Sequence, residues 1–274
     1  MLFFYGIGAT SAQMDNYMRT NRFPEGTRWH CVKFNEELRS NGFFGYLARW
    51  IVWLLAHLPI QWLGFPRFNP PASARMIPAL WNANVAGIGD QEAIAKMVHH
   101  HAQNTTRPYV LYGVSRGALA LFRALRLMNP AKKPALVILE GCPDTIANVA
   151  LARYGSIVAS SLLFLGKWAT HYSIADDLAP EQVALPEWLA DVPVAVVAST
   201  ADTHVPAQNT MRVIEHLRRS KRNVPVMRLF VDVLTHNELS GVTERLQMAR
   251  PELEKYREFV RQQLEEHVSG KMRG

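Results

Sequence analysis

The sequence is poor in cysteine: a chain of 274 residues contains only Cys31 and Cys142. Both lie in or just after apolar, strand-like runs, where a reduced and buried thiol is the usual state. A single disulfide stays open, but two cysteines exclude a disulfide-stapled scaffold. No secretory leader is expected either, since residues 1–5 carry no basic region and lead at once into glycines. These absences predict a cytoplasmic protein, with membrane association left open by an apolar segment described below.

A dense basic block is lacking as well, although the formal net charge is +7. The nearest approach is the group of four cations within residues 218–222, which closes a predicted helix, where cations complement the helix dipole. We therefore predict no nucleic-acid partner. There is no internal repeat, and the run His99–His101 does not predict a metal site because consecutive positions do not share a helix face.

Apolar, β-branched runs alternate with helical patterns along the chain, and hydrophobic residues make up 49% of it. Strands are predicted at residues 2–5, 28–34, 109–112, 134–139, 194–199 and 226–233. Helices are predicted between the later strands and after the last one, and Asp90 is expected to be the N-cap of another. This alternation predicts an α/β fold with a mostly parallel sheet of about six strands and helices on both faces.

Two stretches, residues 35–89 and 145–191, are too long to be plain connections, and we expect them to be cap or lid insertions in one domain spanning 1–274. Residues 43–58 are apolar almost all round, and the apolar character extends to 65. A buried helix, an interfacial helix or lid, and a membrane span all stay open for this segment. Residues 157–165 are also apolar, so the two insertions together favour an acyl-chain pocket or peripheral membrane contact via 43–65.

Residues 113–117 read Gly-Val-Ser-Arg-Gly, which is the pattern G-x-S-x-G. A predicted strand runs into this pattern and an amphipathic helix runs out of it. That setting is required to place the hydroxyl of Ser115 on a sharp turn at the carboxyl edge of a sheet. The alternative interpretation is a glycine-rich turn that merely begins a helix.

With this motif the chain resembles the α/β-hydrolase superfamily of serine esterases and lipases, over nearly its whole length except the two insertions. The resemblance implies a serine, an acid and a histidine in that order, each after a successive strand, and no metal or organic cofactor. Family members normally have two further strands before the first one found here. We therefore expect a shortened sheet with an open edge; a minimal family member and a wrongly chosen start site both stay open.

His236 is the predicted general base, because it follows the last strand, where histidines of the family reach back to the serine. A serine hydroxyl needs such a base to become a good nucleophile. The main rival is His204, which is only two residues from the preferred acid and is poorly placed to have that acid behind it.

Asp202 is the predicted acid, in the sequence Ala-Asp-Thr-His-Val-Pro directly after the fifth strand. A buried carboxylate there would orient the imidazole and stabilise its protonated form. Glu140 and Asp144 stay open as alternatives, since some family members carry the acid after the preceding strand, and Asp232 is a weaker candidate. Asp202 could also merely cap the following helix.

Two backbone N–H groups are predicted to form the oxyanion hole, those of Arg116 and Ile7. Arg116 follows the nucleophile, and Ile7 lies in the glycine-rich loop after the first strand. Tyr5 stands where the family often has a histidine, which leaves backbone donation from Ile7 intact.

Together these residues predict a serine hydrolase that cleaves carboxylic esters through an acyl-enzyme intermediate. The apolar insertions favour apolar acyl esters, so the expected partner is a small-molecule ester or a lipid. A thioesterase or amidase with the same triad stays open, as does a non-catalytic binding or membrane-associated module on the same fold.

Overall fold

The computed structural model describes residues 1–4, 23, 27–28, 30–32, 88–169, 173–220, 226–232, 234–236 and 248–268. These ranges contain six strands: β1 (Leu2–Phe4), β2 (His30–Val32), β3 (Val110–Val114), β4 (Leu136–Glu140), β5 (Val194–Ser199) and β6 (Val226–Val231). They also contain five α-helices: α1 (Ile88–Asn104), α2 (Arg116–Ala124), α3 (Ile146–Ala169), α4 (Ala207–Ser220) and α5 (Arg250–Val268).

The six strands form one sheet in the order β2-β1-β3-β4-β5-β6, and every neighbouring pair is parallel. Since parallel strands end at the same edge, the loops that follow β3, β5 and β6 meet at one rim. The predicted fold class, an α/β fold with a six-stranded parallel sheet, is confirmed.

In β1, β3, β4 and β5 both faces are buried, which explains why these strands are apolar runs without alternation. Leu111 of β3 lies in a core cluster with Ile94 of α1 and Phe122 of α2. Its neighbour Tyr112 points to the other face, in a cluster with Tyr256 of α5. Helices therefore cover both faces, and the sheet is rigid enough to fix the loops at its rim.

Several local predictions are refined by the structure. Asp90 is not the cap of its helix; it lies inside the first turn of α1, and its carboxylate pairs with Arg116 at 3.0 Å.

Cys142 is a free, fully buried thiol, and burial raises its pKa. In the part of the chain that the structure describes, no helix is both long and apolar enough to cross a membrane.

The first predicted insertion, with its apolar segment 43–65, lies outside the described residues except for 88–89. The second contains α3, which breaks at Gly155 (φ 72°, ψ 169°), followed by 3-10 turns at Pro180–Gln182 and Glu187–Asp191. The buried carboxylate of Asp177 anchors α3 by accepting the backbone N–H groups of Ile146 and Ala147, each at 2.9 Å. It also pairs with Arg123 at 2.5 Å. The role of these insertions as caps stays a prediction.

Candidate active site

Ser115 occupies a strained turn between β3 and α2. Its backbone angles are φ 54° and ψ −120°, and it is the only residue other than glycine with a positive φ among those described. A side-chain-bearing residue adopts such angles only where its surroundings impose them. Here the Ser115 N–H donates to the Glu140 carbonyl at 2.8 Å, and the Ser115 carbonyl accepts the N–H of Leu119 at 3.0 Å.

The glycine at position 113 makes this turn possible. A Cβ atom at Gly113 would lie 2.6 Å from the Cα of Ala118 and 2.8 Å from the carbonyl oxygen of Gly117. Both are backbone atoms of α2, so only a glycine lets the helix pack this closely on the strand. The G-x-S-x-G spacing thus has a steric cause, which is the close approach of α2 to β3.

The side chains of Ser115, His236 and Asp202 form a continuous hydrogen-bonded chain. His236 Nε2 lies 2.8 Å from Ser115 Oγ, and His236 Nδ1 lies 2.6 Å from Asp202 Oδ2. An ionised carboxylate can only accept, so Nδ1 carries the proton and Nε2 accepts the serine hydroxyl. The three residues follow β3, β6 and β5, and the rim of the sheet brings them together.

Asp202 is buried and held on both of its carboxylate oxygens. Oδ1 accepts the backbone N–H groups of His204 at 2.7 Å and Val205 at 2.9 Å, while Oδ2 faces His236. Its side chain is 4% exposed and that of His236 is 13% exposed. The carboxylate is therefore shielded from water and fixed in direction, as an orienting acid requires.

His204, the rival base, stacks on His236. The two rings lie 5.3 Å apart with an interplanar angle of 17°. Burial lowers the pKa of His204, and the positive charge of Arg153 and the nearby His236 ring, when it is protonated, lower it further, against the opposing effect of Asp202. His204 is thus an uncharged ring packed against the imidazole that contacts Ser115.

The alternative acids are engaged elsewhere. Glu140 is buried and accepts the hydroxyl of Tyr112 at 2.6 Å, and burial together with the charge of Asp202 raises the pKa of Glu140 to about 8, although the Tyr112 hydrogen bond opposes the rise. Asp144, also buried, accepts hydrogen bonds from the side chains of Asn148, Asn209 and Arg212. Asp232 is exposed and accepts the hydroxyl of Thr200 at 2.9 Å. Among these four carboxylates, Asp202 is the one that contacts His236.

Of the two predicted oxyanion donors, Arg116 and Ile7, the structure describes Arg116. Arg116 is the first residue of α2, where backbone N–H groups have no partner within the helix and the helix dipole favours negative charge. Its buried guanidinium is fixed by Asp90, so the residue itself is held firmly. Ile7 lies outside the described residues, and its role stays a prediction.

No protein-family model matches the chain, and no curated protein matches it. Among solved structures, it is similar to the esterase domain of a Rhodothermus marinus protein, at 13% identity and a TM-score of 0.46, covering 94% of this chain and 85% of that one. It is also similar to the Pyrococcus horikoshii acylaminoacyl peptidase, at 14% identity and a TM-score of 0.45, covering 68% and 30%. A puromycin-hydrolyzing peptidase of Mycobacterium tuberculosis gives 17% identity, a TM-score of 0.45 and coverage of 65% and 26%. At these values the similarities carry no conclusion about activity or substrate.

The fold itself can be stated from the chain's own features. A parallel sheet covered on both faces, a strained serine turn from strand into helix, and the chain order serine, aspartate, histidine are those of the α/β-hydrolases. The described residues therefore have the α/β-hydrolase fold that the sequence predicted. Chemically, their rim presents a hydroxyl, a base and an oriented acid in the arrangement required for acyl transfer.

Proposed function

We propose that the protein is a serine hydrolase that cleaves carboxylic esters through an acyl-enzyme intermediate. The observation that carries the proposal is the hydrogen-bonded chain from Ser115 Oγ through His236 to Asp202, with separations of 2.8 and 2.6 Å. A strained turn supplies the hydroxyl, which is the setting of a nucleophile rather than of a structural serine.

The reaction proceeds in two halves. Ser115 Oγ attacks the ester carbonyl carbon while His236 Nε2 takes the hydroxyl proton, and the carbonyl oxygen becomes an oxyanion. The backbone N–H groups of Arg116 and Ile7 stabilise that charge. When the tetrahedral intermediate collapses, His236 returns the proton to the departing alkoxide, which leaves as the alcohol. Water then attacks the acyl-enzyme with His236 again as base, and the acid is released with Ser115 restored.

Asp202 acts through His236. Its buried carboxylate keeps the proton on Nδ1, so that Nε2 faces the serine, and it stabilises the imidazolium formed in both halves. The stacked ring of His204 restricts the imidazole from a second side, since the two rings lie nearly parallel. The base is thus held before substrate arrives, which lowers the entropic cost of reaching the transition state.

Apolar acyl esters are the proposed substrates. Support comes from α3, whose side chains Leu151, Ile157 and Phe164 are exposed, the last two by 78% and 67%. Arg153, in the part of α3 before the break at Gly155, is near enough to His204 for its charge to lower the pKa of that histidine. Peripheral membrane contact through 43–65 extends the proposal to lipid esters.

An active-site fluorophosphonate probe tests the chemistry. We expect the wild type to become labelled on Ser115, and Ser115→Ala to stay unlabelled. Ser161→Ala is the matched control, because Ser161 is exposed on α3 and its hydroxyl donates to the Ile157 carbonyl of the same helix. A folded wild type that resists the probe would overturn the proposal in favour of a binding module.

The substrate class needs a separate measurement. We expect hydrolysis of p-nitrophenyl esters to improve from acetate towards longer acyl chains. Replacing Ile157 and Phe164 by serine should reduce turnover of the long chains and spare acetate. A preference for acetate, or faster cleavage of matched thioesters or anilides, would contradict the apolar ester assignment while leaving the serine mechanism intact.

A further inference from the structure

The strands that lead to Asp202 and His236 separate at a single point. Ser199 is the last residue of β5 and is paired in register with Val231, the last residue of β6. The strand ladder ends at this pair, with one further backbone bond from the Thr200 N–H to the Val231 carbonyl at 3.1 Å; Asp202 follows after three residues and His236 after five. Sheet pairing no longer fixes their separation there, yet their side chains meet at 2.6 Å.

The hydroxyl of Ser199 connects the two loops just past this point. Its Oγ lies 2.6 Å from the carbonyl oxygen of Val231 and in still closer contact with the carbonyl oxygen of Leu234. It also accepts the backbone N–H of Ala201 at 3.1 Å. One side chain thus contacts backbone atoms of both loops: Ala201 is one residue before Asp202, and Leu234 is two residues before His236.

The surroundings make this connection rigid. Ser199 is buried, and the side chain of Leu234 is 3% exposed and packed in the core cluster that includes Tyr256. The backbone N–H of Asp202 donates to the Ser199 carbonyl at 3.3 Å, so the acid loop folds back onto the same residue. The Ser199 hydroxyl has one hydrogen, which the two facing carbonyls share. Because the hydroxyl is buried, water is kept from taking its place between the two carbonyls.

We propose that Ser199 is a positioning residue that sets the distance between Asp202 and His236 by tying the acid loop to the base loop. The inference rests on the proposed function, since it concerns the same triad. Ser199 touches no substrate in this scheme; it acts on the orientation of His236 towards Ser115. Misplacement of a catalytic group by about 1 Å can cost around a hundredfold in rate, so even a small loosening is measurable.

Ser199→Ala removes the connection with the loss of one oxygen atom. We expect kcat for a p-nitrophenyl ester to fall about tenfold to a hundredfold with KM unchanged within a factor of about two. The rate of labelling by the fluorophosphonate probe should fall in parallel. The downfield proton signal of the His236–Asp202 hydrogen bond should broaden or disappear, whereas a purely structural residue would leave it in place.

Two variants guard against misinterpretation. Thr200→Val is the matched control, because Thr200 is the next residue and also has a hydroxyl bond between the loops, but to the exposed side chain of Asp232. We expect it to keep the wild-type kcat and proton signal. Ser199→Cys keeps a weak donor of similar size, and it should recover part of the lost kcat if Ser199→Ala folds poorly.

A double-mutant comparison separates positioning from folding. In a His236→Ala background no base is left to position, so adding Ser199→Ala should leave the residual activity unchanged. Equal fold losses in both backgrounds would overturn the inference, as would wild-type kcat in Ser199→Ala. Absence of ester turnover and labelling in the wild type is a different outcome, because it removes the proposed function itself.

Discussion

The carboxyl group of Glu140 lies 2.6 Å from the hydroxyl of Tyr112, within the closed interior beneath the Ser115 turn. Its other ionisable neighbours are Asp202 and Tyr256: the charge of Asp202 raises the pKa of Glu140, and a charge on Glu140 would raise the pKa of Tyr256. Among the described residues, the charge that acts on Glu140 is that of the anion Asp202, and a buried carboxyl in such surroundings is more stable protonated than ionised. Glu140 is thus an uncharged acid at neutral pH.

Replacing this acid by its uncharged isostere should change how stability depends on pH. Burial raises the pKa of Glu140 to about 8, above the ordinary value of 4.5. The folded state therefore keeps a proton that the unfolded state loses, and the stability contributed by Glu140 declines as pH rises from about 4.5 through 8. One unit of pKa shift corresponds to about 1.4 kcal/mol. As pH rises from 5 to 9, the free energy of unfolding of Glu140→Gln should therefore increase by several kcal/mol relative to that of the wild type. Denaturant unfolding at both pH values checks this, and a pH-independent gap would contradict it.

Asp202→Asn should keep the fold and lose most activity. The asparagine can present its amide to His236 and favour the wrong tautomer, with the proton on Nε2 facing the serine. We expect kcat to fall by about three to four orders of magnitude. Asp232→Asn is the matched control, since Asp232 is exposed and binds Thr200, and it should retain full activity. An Asp202→Asn variant with more than a tenth of wild-type kcat would show that another acid serves His236.

Gly113→Ala should both destabilise the protein and reduce its activity. The added methyl would lie 2.6 Å from a backbone atom of α2, so helix and strand must separate and the Ser115 turn must shift. We expect a loss of about 1–3 kcal/mol in the free energy of unfolding, as for other overpacked sites, and a lower kcat.

Gly155→Ala provides the contrast for that experiment. Gly155 has φ 72° but no atom within 4 Å of the position of an added Cβ. The substitution should destabilise the fold only through this backbone conformation, by about 1–3 kcal/mol, and should leave kcat on acetate esters unchanged. Thermal unfolding and steady-state kinetics on the two variants distinguish these effects. Equal kcat values for Gly113→Ala and wild type would contradict the steric explanation of the motif.

Asp177→Asn should detach the second insertion from the domain. Its carboxylate pairs with Arg123, whose side chain is 1% exposed, and caps the start of α3. Removing the charge leaves a buried guanidinium without its anion, which costs about 3–5 kcal/mol. Asp191→Asn, in the exposed pair with Lys133, should cost about 1 kcal/mol or less. Similar losses in the two variants would show that the buried pair does not anchor α3.

The sheet and the three site residues were predictable because each depends on a local pattern. Apolar runs between helical patterns give parallel strands, and Gly113 marks the close approach of helix and strand that only glycine permits. His236 and Asp202 were selected by their positions directly after strands. Such positions determine which rim a residue occupies, which is why a single sequence suffices for them.

Other features depend on contacts between distant residues, which no local pattern reveals. Asp90 has the sequence setting of a helix cap, yet a cation 26 residues away, Arg116, takes its carboxylate. The stacking of His204 on His236 joins two loops separated by 32 positions. Ser199 gave one usable signal, a polar residue ending a run of buried apolar ones, but its partners could not be inferred from that.

The placement of Ser115, Asp202 and His236 after three different strands has a consequence for biosynthesis. The three loops come together at one rim only when β3, β4, β5 and β6 have joined one sheet, and β6 is the last strand of the described sheet. A nascent chain released before residue 236 would contain Ser115, the proposed nucleophile, but not His236, the proposed base. Under the proposed function, ester turnover should therefore begin only after β6 has been synthesised and has joined the sheet.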